Sequence, residues 1–313
     1  MIAAFAPATV SNVAAGFDVL GFALDQPGDV VVAALADHDG AVIGDIHGDG
    51  GRLSREAGRN TASAAANALL GALGTRQGIT LALHKGLPLA SGVGSSGASA
   101  VAAVVAVNEL LGRPADLDVL LRAAMAGEQA GCGAVHPDNV APALYGGFVL
   151  ARSAAPPDIV RLPVPAGLAC AVLHPSIEVH TGTARALLGD QVPLAAAVRQ
   201  WANVGALVSA LHSGDLALLS RALEDHVAEP KRAGLVPGFY AIKSAAVAAG
   251  ALGCSLSGSG PSMFALAPSL DGATAAGEAM AAAWRAVSPA VEADLWVSPV
   301  GTQGARVVAV EGR

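Results

Sequence analysis

A segment rich in glycine and serine near residue 90 has the composition of a phosphate-binding loop. The run Pro88-Leu-Ala-Ser-Gly92-Val-Gly94-Ser-Ser-Gly97 follows a predicted strand, Ile79–His84, and opens a predicted helix that ends at Gly112. Free N–H groups and the positive end of the dipole make a helix start attractive to anions, and serine hydroxyls can bind a phosphate or its cation. The segment therefore indicates a phosphate site, with a serine-capped tight turn as the purely structural alternative.

Two other nucleotide-binding patterns fit this loop less well. Gly92, Gly94 and Gly97 match G-x-G-x-x-G, but a dinucleotide-binding unit needs an acidic residue at the end of a second strand about 20 residues on. Glu109 instead falls within the helix that the loop opens, and Ala98 stands where a Walker A loop needs lysine. A nicotinamide-dependent oxidoreductase is thus a weak alternative.

A carboxylate continues the apolar face of the next helix. With Asp116 as its N-cap, this helix has apolar residues at helical spacing, namely Leu117, Leu120, Leu121 and Ala124, and Glu128 lies on the same stripe. A buried carboxylate costs several kcal/mol unless it is paired, protonated or bound to a cation. Since Mg²⁺ in nucleotide sites needs only one or two protein oxygens, Glu128 and a loop hydroxyl could hold it. Pairing with an arginine is the alternative.

Several separated segments could bind a small zwitterion. An amino-acid substrate needs acceptors for its ammonium group and forked donors for its carboxylate. Residues of these types are scattered along the chain, among them Asn12, Asp18, Arg185, Arg232 and the run Val135-His-Pro-Asp-Asn139, and their spacing alone does not bring them together. Taken singly, these would be turn residues or solvated surface residues.

Together these segments resemble the GHMP family of small-molecule kinases. Pro88–Ala100 is similar to the second family motif, P-x-x-x-G-L-G-S-S-A-A, with Val93 for Leu and Gly97 for Ala. Ser11–Gly21 resembles the first motif, S-A-N-L-G-x-G-F-D-x-L-G, with Ala14 for one glycine. Gly253–Ala265 resembles the C-terminal glycine motif, which supports the phosphate loop from the other domain.

Three further segments resemble the homoserine kinase branch of this family. They are V-H-P-D-N at residues 135–139, H-T-G-T-A-R-A-L-L at 180–188 and E-P-K-R-A-G-L-V-P-G at 229–238. The resemblance implies phosphorylation of the L-homoserine hydroxyl by ATP, a step of threonine biosynthesis. Another GHMP kinase of mevalonate or sugar type is the nearest alternative, although those substrates lack an ammonium group. A catalytically silent protein of this fold is a third possibility.

The resemblance also implies a role for each site residue. The substrate would contact Asn12, Asp18, His136, Arg185 and Arg232, and Mg²⁺ would be held by Ser96 and Glu128. The residues implied in catalysis are Asn139, Thr181, His136 and Glu128, without a dedicated general base. The residues implied in ATP binding are Pro88, Ser91, Gly92, Val93, Gly94, Ser95, Ser96 and Gly97, with Asn60 near the adenine.

The implied architecture is an α+β, two-domain GHMP-kinase fold. Residues 1–160 would form a ribosomal protein S5 domain 2-like domain, and residues 161–313 a ferredoxin-like domain. The resemblance further suggests a homodimer. On the pattern alone, the proline-rich segment Ser153–Pro165 is predicted to be a linker or crossover to a second unit, and helices are predicted over Val192–Leu211, Leu216–Val227 and Ala273–Val287.

Composition excludes several other classes of protein. The chain has 313 residues, of which 53% are hydrophobic but only 4% aromatic, and its longest apolar run, Gly97 to Val107, is far shorter than the about 20 residues of a membrane span. A net charge of −7 without a basic cluster argues against a nucleic-acid surface. Three dispersed cysteines indicate neither a disulfide framework nor a zinc site, and the N-terminus lacks a secretory pattern, so a cytoplasmic enzyme is expected.

Overall fold

The structure, a computed structural model, describes residues 1–309 apart from the side chain of Cys132. Its first sheet has seven strands in the order β11-β1-β2-β4-β3, with β5 paired to β2 and β6 paired to β5. The strands of this sheet are β1 (Ile2–Ser11), β2 (Leu20–Leu35), β3 (Ala41–His47), β4 (Ile79–His84), β5 (Phe148–Ala154), β6 (Pro157–Leu162) and β11 (Arg306–Val308). All its pairings are antiparallel except β3 with β4.

Four helices accompany this sheet: α1 (Thr61–Ala72), α2 (Ser95–Leu110), α3 (Leu117–Cys132) and α4 (Pro137–Tyr145). Helix α2 lies centrally against β1 and β2, and it is buried on almost all sides. Small residues let its neighbours α1 and α3 approach each other closely, since a Cβ at Gly127 of α3 would lie 2.5 Å from the Cβ of Ala65 of α1. The alanine-rich, aromatic-poor composition thus serves close helix packing.

The second sheet is a four-stranded antiparallel sheet in the order β10-β7-β9-β8. Its strands are β7 (Ala169–Pro175), β8 (Gly253–Leu256), β9 (Met263–Ala267) and β10 (Ala293–Pro299). The helices of this half are α5 (Thr181–Ala186), α6 (Leu194–Ser213), α7 (Leu216–Ala222), α8 (Glu229–Arg232), α9 (Phe239–Ala248) and α10 (Leu270–Val287), with a 3₁₀ turn at Ala233–Leu235. Helix α10 packs on the sheet and against α9.

One hydrophobic cluster spans the two halves, and smaller clusters lie within the C-terminal half. Phe22 of β2 contacts Phe148 of β5, with ring centroids 4.7 Å apart, and meets Phe264 of β9 edge-on at 6.2 Å. All three rings are fully buried. The chain leaves the first sheet after β6 and returns to it at β11, which pairs with β1. The last strand thus belongs to the first sheet. The domain boundary at residue 160 stays a prediction.

Several element boundaries differ from those expected. The segment Ser153–Pro165 is no linker, because residues up to Leu162 form the β5–β6 hairpin, whose turn holds a cis Ala155–Pro156 peptide. Helix α7 ends at Ala222 rather than Val227, since the Asp225 carboxylate accepts the N–H groups of Val227, Ala228 and Glu229 in a turn. The predicted N-cap, Asp116, is confirmed by its bond from the Val119 N–H.

The arrangement of strands also bears on the excluded alternatives. The strand before the glycine loop, β4, is antiparallel to its central neighbour β2, and the chain after α2 continues through two more helices to another antiparallel strand. That is not the parallel βαβ unit of a dinucleotide-binding fold.

Within residues 1–309 no helix is both long and apolar enough to cross a membrane. Cys170 and Cys254 are buried free thiols, whereas the side chain of Cys132 lies outside the described part.

Candidate active site

One cavity of about 700 Å³ brings together most of the residues that the sequence singled out. Its lining includes Asn12, Asp18, Ser91, Gly92, Gly94, Ser95, Ser96, Glu128, His136, Asn139, Thr181, Arg185 and Arg232. Pro88, Val93, Gly97 and Asn60 are not among the lining residues. The cavity therefore brings the glycine loop together with charged segments that are separated in sequence.

The glycine loop presents the start of α2 to the cavity. Gly94 is the N-cap in a left-handed conformation, with φ of 69°, and the first intrahelical bond runs from the Ala98 N–H to the Gly94 carbonyl. The N–H groups of Ser95, Ser96 and Gly97 precede that bond, so the helix itself does not use them. A Cβ at Gly94 would lie 2.0 Å from Thr9 Oγ1, which excludes a larger residue. The loop thus has the form of an anion site.

The C-terminal glycine motif buttresses this loop from the second half of the chain. Ser257 Oγ donates to the Gly92 carbonyl at 2.7 Å, and the Ser262 N–H donates to the Ser91 carbonyl at 3.3 Å. Gly92, with φ of 80°, has no space for a side chain, because a Cβ would lie 2.5 Å from the Ser257 carbonyl oxygen. Both glycine motifs therefore form one wall of the cavity.

Glu128 lies beside this wall and is 2% exposed. Its Oε1 accepts a hydrogen bond from the Ser96 hydroxyl at 3.0 Å, and its Oε2 accepts one from the backbone N–H of His136 at 3.1 Å. The carboxylate is also 3.7 Å from Nδ1 of His136, and its proximity raises the pKa of that imidazole. No arginine pairs with Glu128 among the described residues, so the alternative of an Arg partner is not supported.

The first motif forms a strained loop in the lining of the cavity. Asn12, Val13, Ala14 and Asp18 all have positive φ, at 68°, 43°, 57° and 56°. Such values are uncommon outside glycine and cost energy that the surroundings must supply. Asn12 is fixed on both sides, since its Oδ1 accepts the Asp18 N–H at 3.0 Å and its Nδ2 donates to the Gly258 carbonyl at 2.9 Å.

Two arginines face this loop. Arg185 forms a bidentate pair with Asp18, at 2.7 Å and 3.0 Å, while Arg232 donates to the carbonyls of Ala184 and Gly258 at 3.0 Å and 3.2 Å. Both guanidinium groups lie over the ring of Phe17, 5.3 Å and 5.2 Å from its centroid. Burial and the charge of Arg185 lower the pKa of Arg232 from its ordinary value. The aromatic ring therefore holds two like charges close to one another.

Asn139 and Thr181 both line the cavity. Asn139 Oδ1 accepts the Thr9 hydroxyl at 2.8 Å, which orients its amide. Thr181 is the first residue of α5 and is exposed at the cavity rim. Asn60 instead serves as the N-cap of α1: its Oδ1 accepts the Ala62 N–H at 3.0 Å and its Nδ2 donates to the Ser54 carbonyl at 2.9 Å. Its neighbour Thr61 lines the cavity.

Sequence reasoning missed a buried ionic cluster beneath the glycine loop. Lys85 lines the cavity, pairs with Asp29 and donates to Ser95 Oγ at 2.7 Å and Ser99 Oγ at 2.9 Å. Asp29 also accepts the Gly86 and Leu87 N–H groups at 3.0 Å and 3.1 Å. The one available signal was a lysine just ahead of the loop, because Asp29 is 56 residues away in sequence. Asp138, within the V-H-P-D-N segment, was also missed as a lining residue.

Comparison with known proteins agrees with this geometry. Residues 60–147 match the family described as GHMP kinases N terminal domain, and residues 207–286 match GHMP kinases C terminal. A homoserine kinase of Chlorobium phaeobacteroides is 48% identical over 98% of this chain and 99% of its own length. The crystal structure of a homoserine kinase from Cytophaga hutchinsonii superposes with a TM-score of 0.95 at 51% identity, covering 98% of this chain and 97% of that one. A mevalonate kinase of L. major, at 18% identity and a TM-score of 0.71, shares the fold.

Proposed function

The chain belongs to the GHMP kinase family, and on that premise we propose that it is a homoserine kinase, which transfers the γ-phosphoryl group of ATP to the side-chain hydroxyl of L-homoserine. The curated relatives that carry this name match it over nearly its whole length. Kinases of mevalonate type share only the fold, at 18% identity or less. The product, O-phospho-L-homoserine, would be an intermediate of threonine biosynthesis.

One observation carries the proposal: a single cavity is lined both by an anion-binding helix start and by charges of both signs. Asp18, Arg185 and Arg232 in this lining suit a substrate with both an ammonium and a carboxylate group. A sugar carries neither an ammonium nor a carboxylate group, and mevalonate carries no ammonium group, so neither substrate would use charges of both signs. This combination in one lining therefore supports an amino acid as the acceptor of the phosphoryl group.

The residues near the glycine loop fit a magnesium ion bound together with ATP. Glu128 and Ser96 present oxygens, the ligand type that Mg²⁺ prefers, and they already share a hydrogen bond at 3.0 Å. The buried Glu128 carboxylate has no cationic partner closer than the imidazole of His136 among the described residues. We propose that Glu128 and Ser96 hold the ion, which when bound would offset the negative charge of the phosphates.

The remaining residues bind and orient the reactants. In phosphoryl transfer the transition state is largely dissociative, so alignment and charge neutralisation matter more than a strong base. N–H groups of the loop from Gly92 to Ser96 would cradle the phosphates, and Pro88, Ser91, Val93 and Gly97 would support that backbone. Asn139 and Thr181 would orient the substrate hydroxyl, with His136 beside it and no dedicated base. Asn12, Asp18, Arg185 and Arg232 would hold the amino-acid end.

Further parts of the proposal concern the adenine, the assembly and the cell compartment. Asn60 would act near the adenine through the start of α1, because its side chain caps that helix and its neighbour Thr61 lines the cavity. The enzyme would work in the cytoplasm as a homodimer. Leu194, Val198 and Trp201 support a dimer contact, since they lie on one face of α6 and are 71%, 51% and 64% exposed. Sedimentation at several concentrations tests the dimer.

A coupled ADP-release assay tests the function itself. L-homoserine, L-serine, L-threonine and mevalonate are offered in turn with ATP and Mg²⁺, and the turnover of each is compared. We expect homoserine to be preferred by at least about tenfold in kcat/KM, because only its hydroxyl combines the right reach with a zwitterionic end. Equal or faster turnover of mevalonate would refute the proposal, and so would a failure to release ADP with any of the four.

A further inference from the structure

Thr9 is a fully buried polar residue behind the wall of the cavity. It lies near the end of β1, where the register of β1 with β2 shifts between Pro7 and Thr9. Such irregularities re-aim a side chain and are common next to active sites. Thr9 does not line the cavity itself, so its effect on the bound reactants must pass through the residues that it contacts.

These contacts join two parts of the site that serve different reactants. The Thr9 N–H donates to the Val93 carbonyl of the glycine loop at 3.1 Å, and the Thr9 hydroxyl donates to Asn139 Oδ1 at 2.8 Å. A Cβ at Gly94 would lie 2.0 Å from Thr9 Oγ1 and 2.9 Å from Asn139 Oδ1, so hydroxyl and amide lie directly against the N-cap of α2. Thr9 therefore holds both the backbone of the phosphate loop and the side chain of Asn139.

The Thr9 hydroxyl determines which end of the Asn139 amide it contacts. Thr9 Oγ1 has no other side-chain or backbone partner among residues 1–309. If the amide were reversed, its Nδ2 would donate to Oγ1, and the buried hydroxyl proton would have no acceptor. A buried donor without a partner is costly, so the hydroxyl selects the orientation with Oδ1 towards Thr9.

The other end of this amide is accessible from the cavity. Asn139 lines the cavity, and its Nδ2 has no hydrogen-bond partner within the described part of the chain. Nδ2 is also not one of the buried side-chain atoms that lack a partner there, so it is open to solvent. The amide thus presents two N–H donors and no acceptor. Donors suit hydroxyl and phosphate oxygens, whereas an amide oxygen in their place would repel phosphate oxygens.

We propose that Thr9 is a positioning residue for phosphoryl transfer, whose hydroxyl holds the Asn139 amide with its Nδ2 towards the reactants. This inference rests on the proposed function and deepens it, since it names the group that sets the orientation of the hydroxyl-binding amide. Thr9 itself touches neither reactant. Its loss should therefore slow the transfer step more than it weakens the binding of homoserine or ATP.

Replacing Thr9 by Val removes the hydroxyl but keeps the branched shape and the backbone N–H. The Asn139 amide can then turn its oxygen towards the cavity, so we expect kcat to fall about tenfold or more, with the KM for homoserine and for ATP each within about threefold. Thr9→Ser keeps the donor and should restore most of the lost turnover. Thr80→Val, on β4 at a hydroxyl that contacts exposed His38, is the matched control and should keep the wild-type kcat.

A double-mutant cycle tests whether Thr9 acts through Asn139. Asn139→Ala leaves no amide to orient, so adding Thr9→Val to it should change kcat by less than about twofold. The same fall in both backgrounds would mean a merely structural role and overturn the proposal. An unchanged kcat in Thr9→Val would also overturn it, and so would a Thr9→Ser enzyme as slow as Thr9→Val.

A measurement on the unaltered enzyme covers the case in which Thr9→Val does not fold. In ¹H–¹⁵N spectra the side-chain amide of Asn139, assigned by its absence in Asn139→Ala, reports the exchange of its two protons with water. We expect both to exchange rapidly in the empty enzyme, because neither is bonded within the protein. One protected proton would mean that Nδ2 faces Thr9, which overturns the inference. Absence of homoserine phosphorylation in the wild type would instead refute the proposed function, so the two failures are distinguishable.

Discussion

At the scale of single residues, Glu128 shows how a sequence pattern can reveal a site. Its place on an apolar helical stripe is visible from i, i+3 and i+4 spacing, and the cost of burying a carboxylate then demands a partner. The partner found, Ser96, lies 32 residues earlier at the start of another helix. Periodicity identified the buried carboxylate, but only the fold shows that these two oxygens face the same space.

Replacing Glu128 by Gln tests the magnesium role. The amide keeps the shape and can still accept a hydrogen bond, but it loses the charge that a cation needs, so we expect kcat to fall by about 100-fold or more while the KM for homoserine changes little. Steady-state kinetics over a range of Mg²⁺ concentrations measure both. Glu109→Gln, on the neighbouring helix α2 and paired with Arg113, is the control and should keep its turnover number. An unchanged kcat in Glu128→Gln would remove this residue from the metal role.

Lys85 and Asp29 represent what the sequence could not reveal. Each would be an unremarkable strand or turn residue by pattern, and their pairing depends on the register of β2 with β4. Their side chains are 1% and 0% exposed, so the pair is fully desolvated. A pairing of this kind is a property of topology and leaves no periodic signal.

Loss of one partner of this pair should be strongly destabilising. Lys85→Met leaves the Asp29 carboxylate buried without its cation, and we expect the free energy of unfolding to fall by about 3–5 kcal/mol. Urea denaturation measures this value. Adding Asp29→Asn to Lys85→Met should recover part of the loss, because the uncompensated charge disappears. Arg122→Met, in an exposed pair with Asp118, is the control and should have little effect. An equally small effect of Lys85→Met would contradict the expectation that the buried pair of Lys85 and Asp29 stabilises the fold.

At the scale of elements, the strained loop of the first motif depends on a distant helix. Gln200 of α6 is buried, its Nε2 donates to the Ala15 carbonyl at 2.7 Å and to Asp225 Oδ1 at 2.9 Å, and its Oε1 accepts the His226 N–H at 2.8 Å. Asp225 in turn caps the start of α8, which carries Arg232. One amide thus holds together the loop of Asp18 and the helix of Arg232.

Gln200→Leu should therefore weaken homoserine binding without weakening ATP binding. With the Ala15 carbonyl released, the positive-φ residues can relax, so we expect the KM for homoserine to rise about tenfold while the KM for ATP stays within about threefold. Kinetics with each substrate varied in turn give the comparison. Arg199→Ala, at the exposed neighbouring residue of the same helix, should have no such effect. Equal rises in both KM values would indicate general damage and contradict this positioning role.

Elements whose own sequence carries caps and apolar periodicity were predictable. Elements whose conformation depends on pairing with another strand were not. Helix α3 had a predicted N-cap and apolar stripe, and both are present except that Leu117, at the start of the stripe, is 52% exposed. The β5–β6 hairpin was mistaken for a linker because prolines at positions 156, 157, 163 and 165 suggested an irregular segment. Proline is compatible with an edge strand, and β6 pairs only with β5. Hydrogen bonding to β5, rather than local sequence propensity, fixes the strand conformation of β6.

At the scale of the whole molecule, the site exists only because the two halves of the chain are joined. Asn12 and Gly258, which share a hydrogen bond, are 246 residues apart, and both glycine motifs contribute to one wall. Resemblance to a family gave this closeness in advance, whereas composition and periodicity did not. No local pattern indicates that the last strand, β11, returns to pair with β1.

A continuous core predicts that both halves unfold together. Phe22, Phe148 and Phe264 pack across the two sheets, and the C-terminal strand β11 belongs to the first one, so neither half can lose its structure without exposing the other's core. We therefore expect a single calorimetric transition for the whole chain, although its length would permit two. Phe264→Ala removes a fully buried ring at the junction and should lower the free energy of unfolding by about 3–5 kcal/mol while keeping that single transition. Tyr240→Ala, at a ring that is 59% exposed in the same half, is the control and should leave the midpoint nearly unchanged. Two separated transitions in the wild type, with only the second shifted by Phe264→Ala, would mean that the halves are energetically independent, and the cavity could then open by unfolding of one half alone.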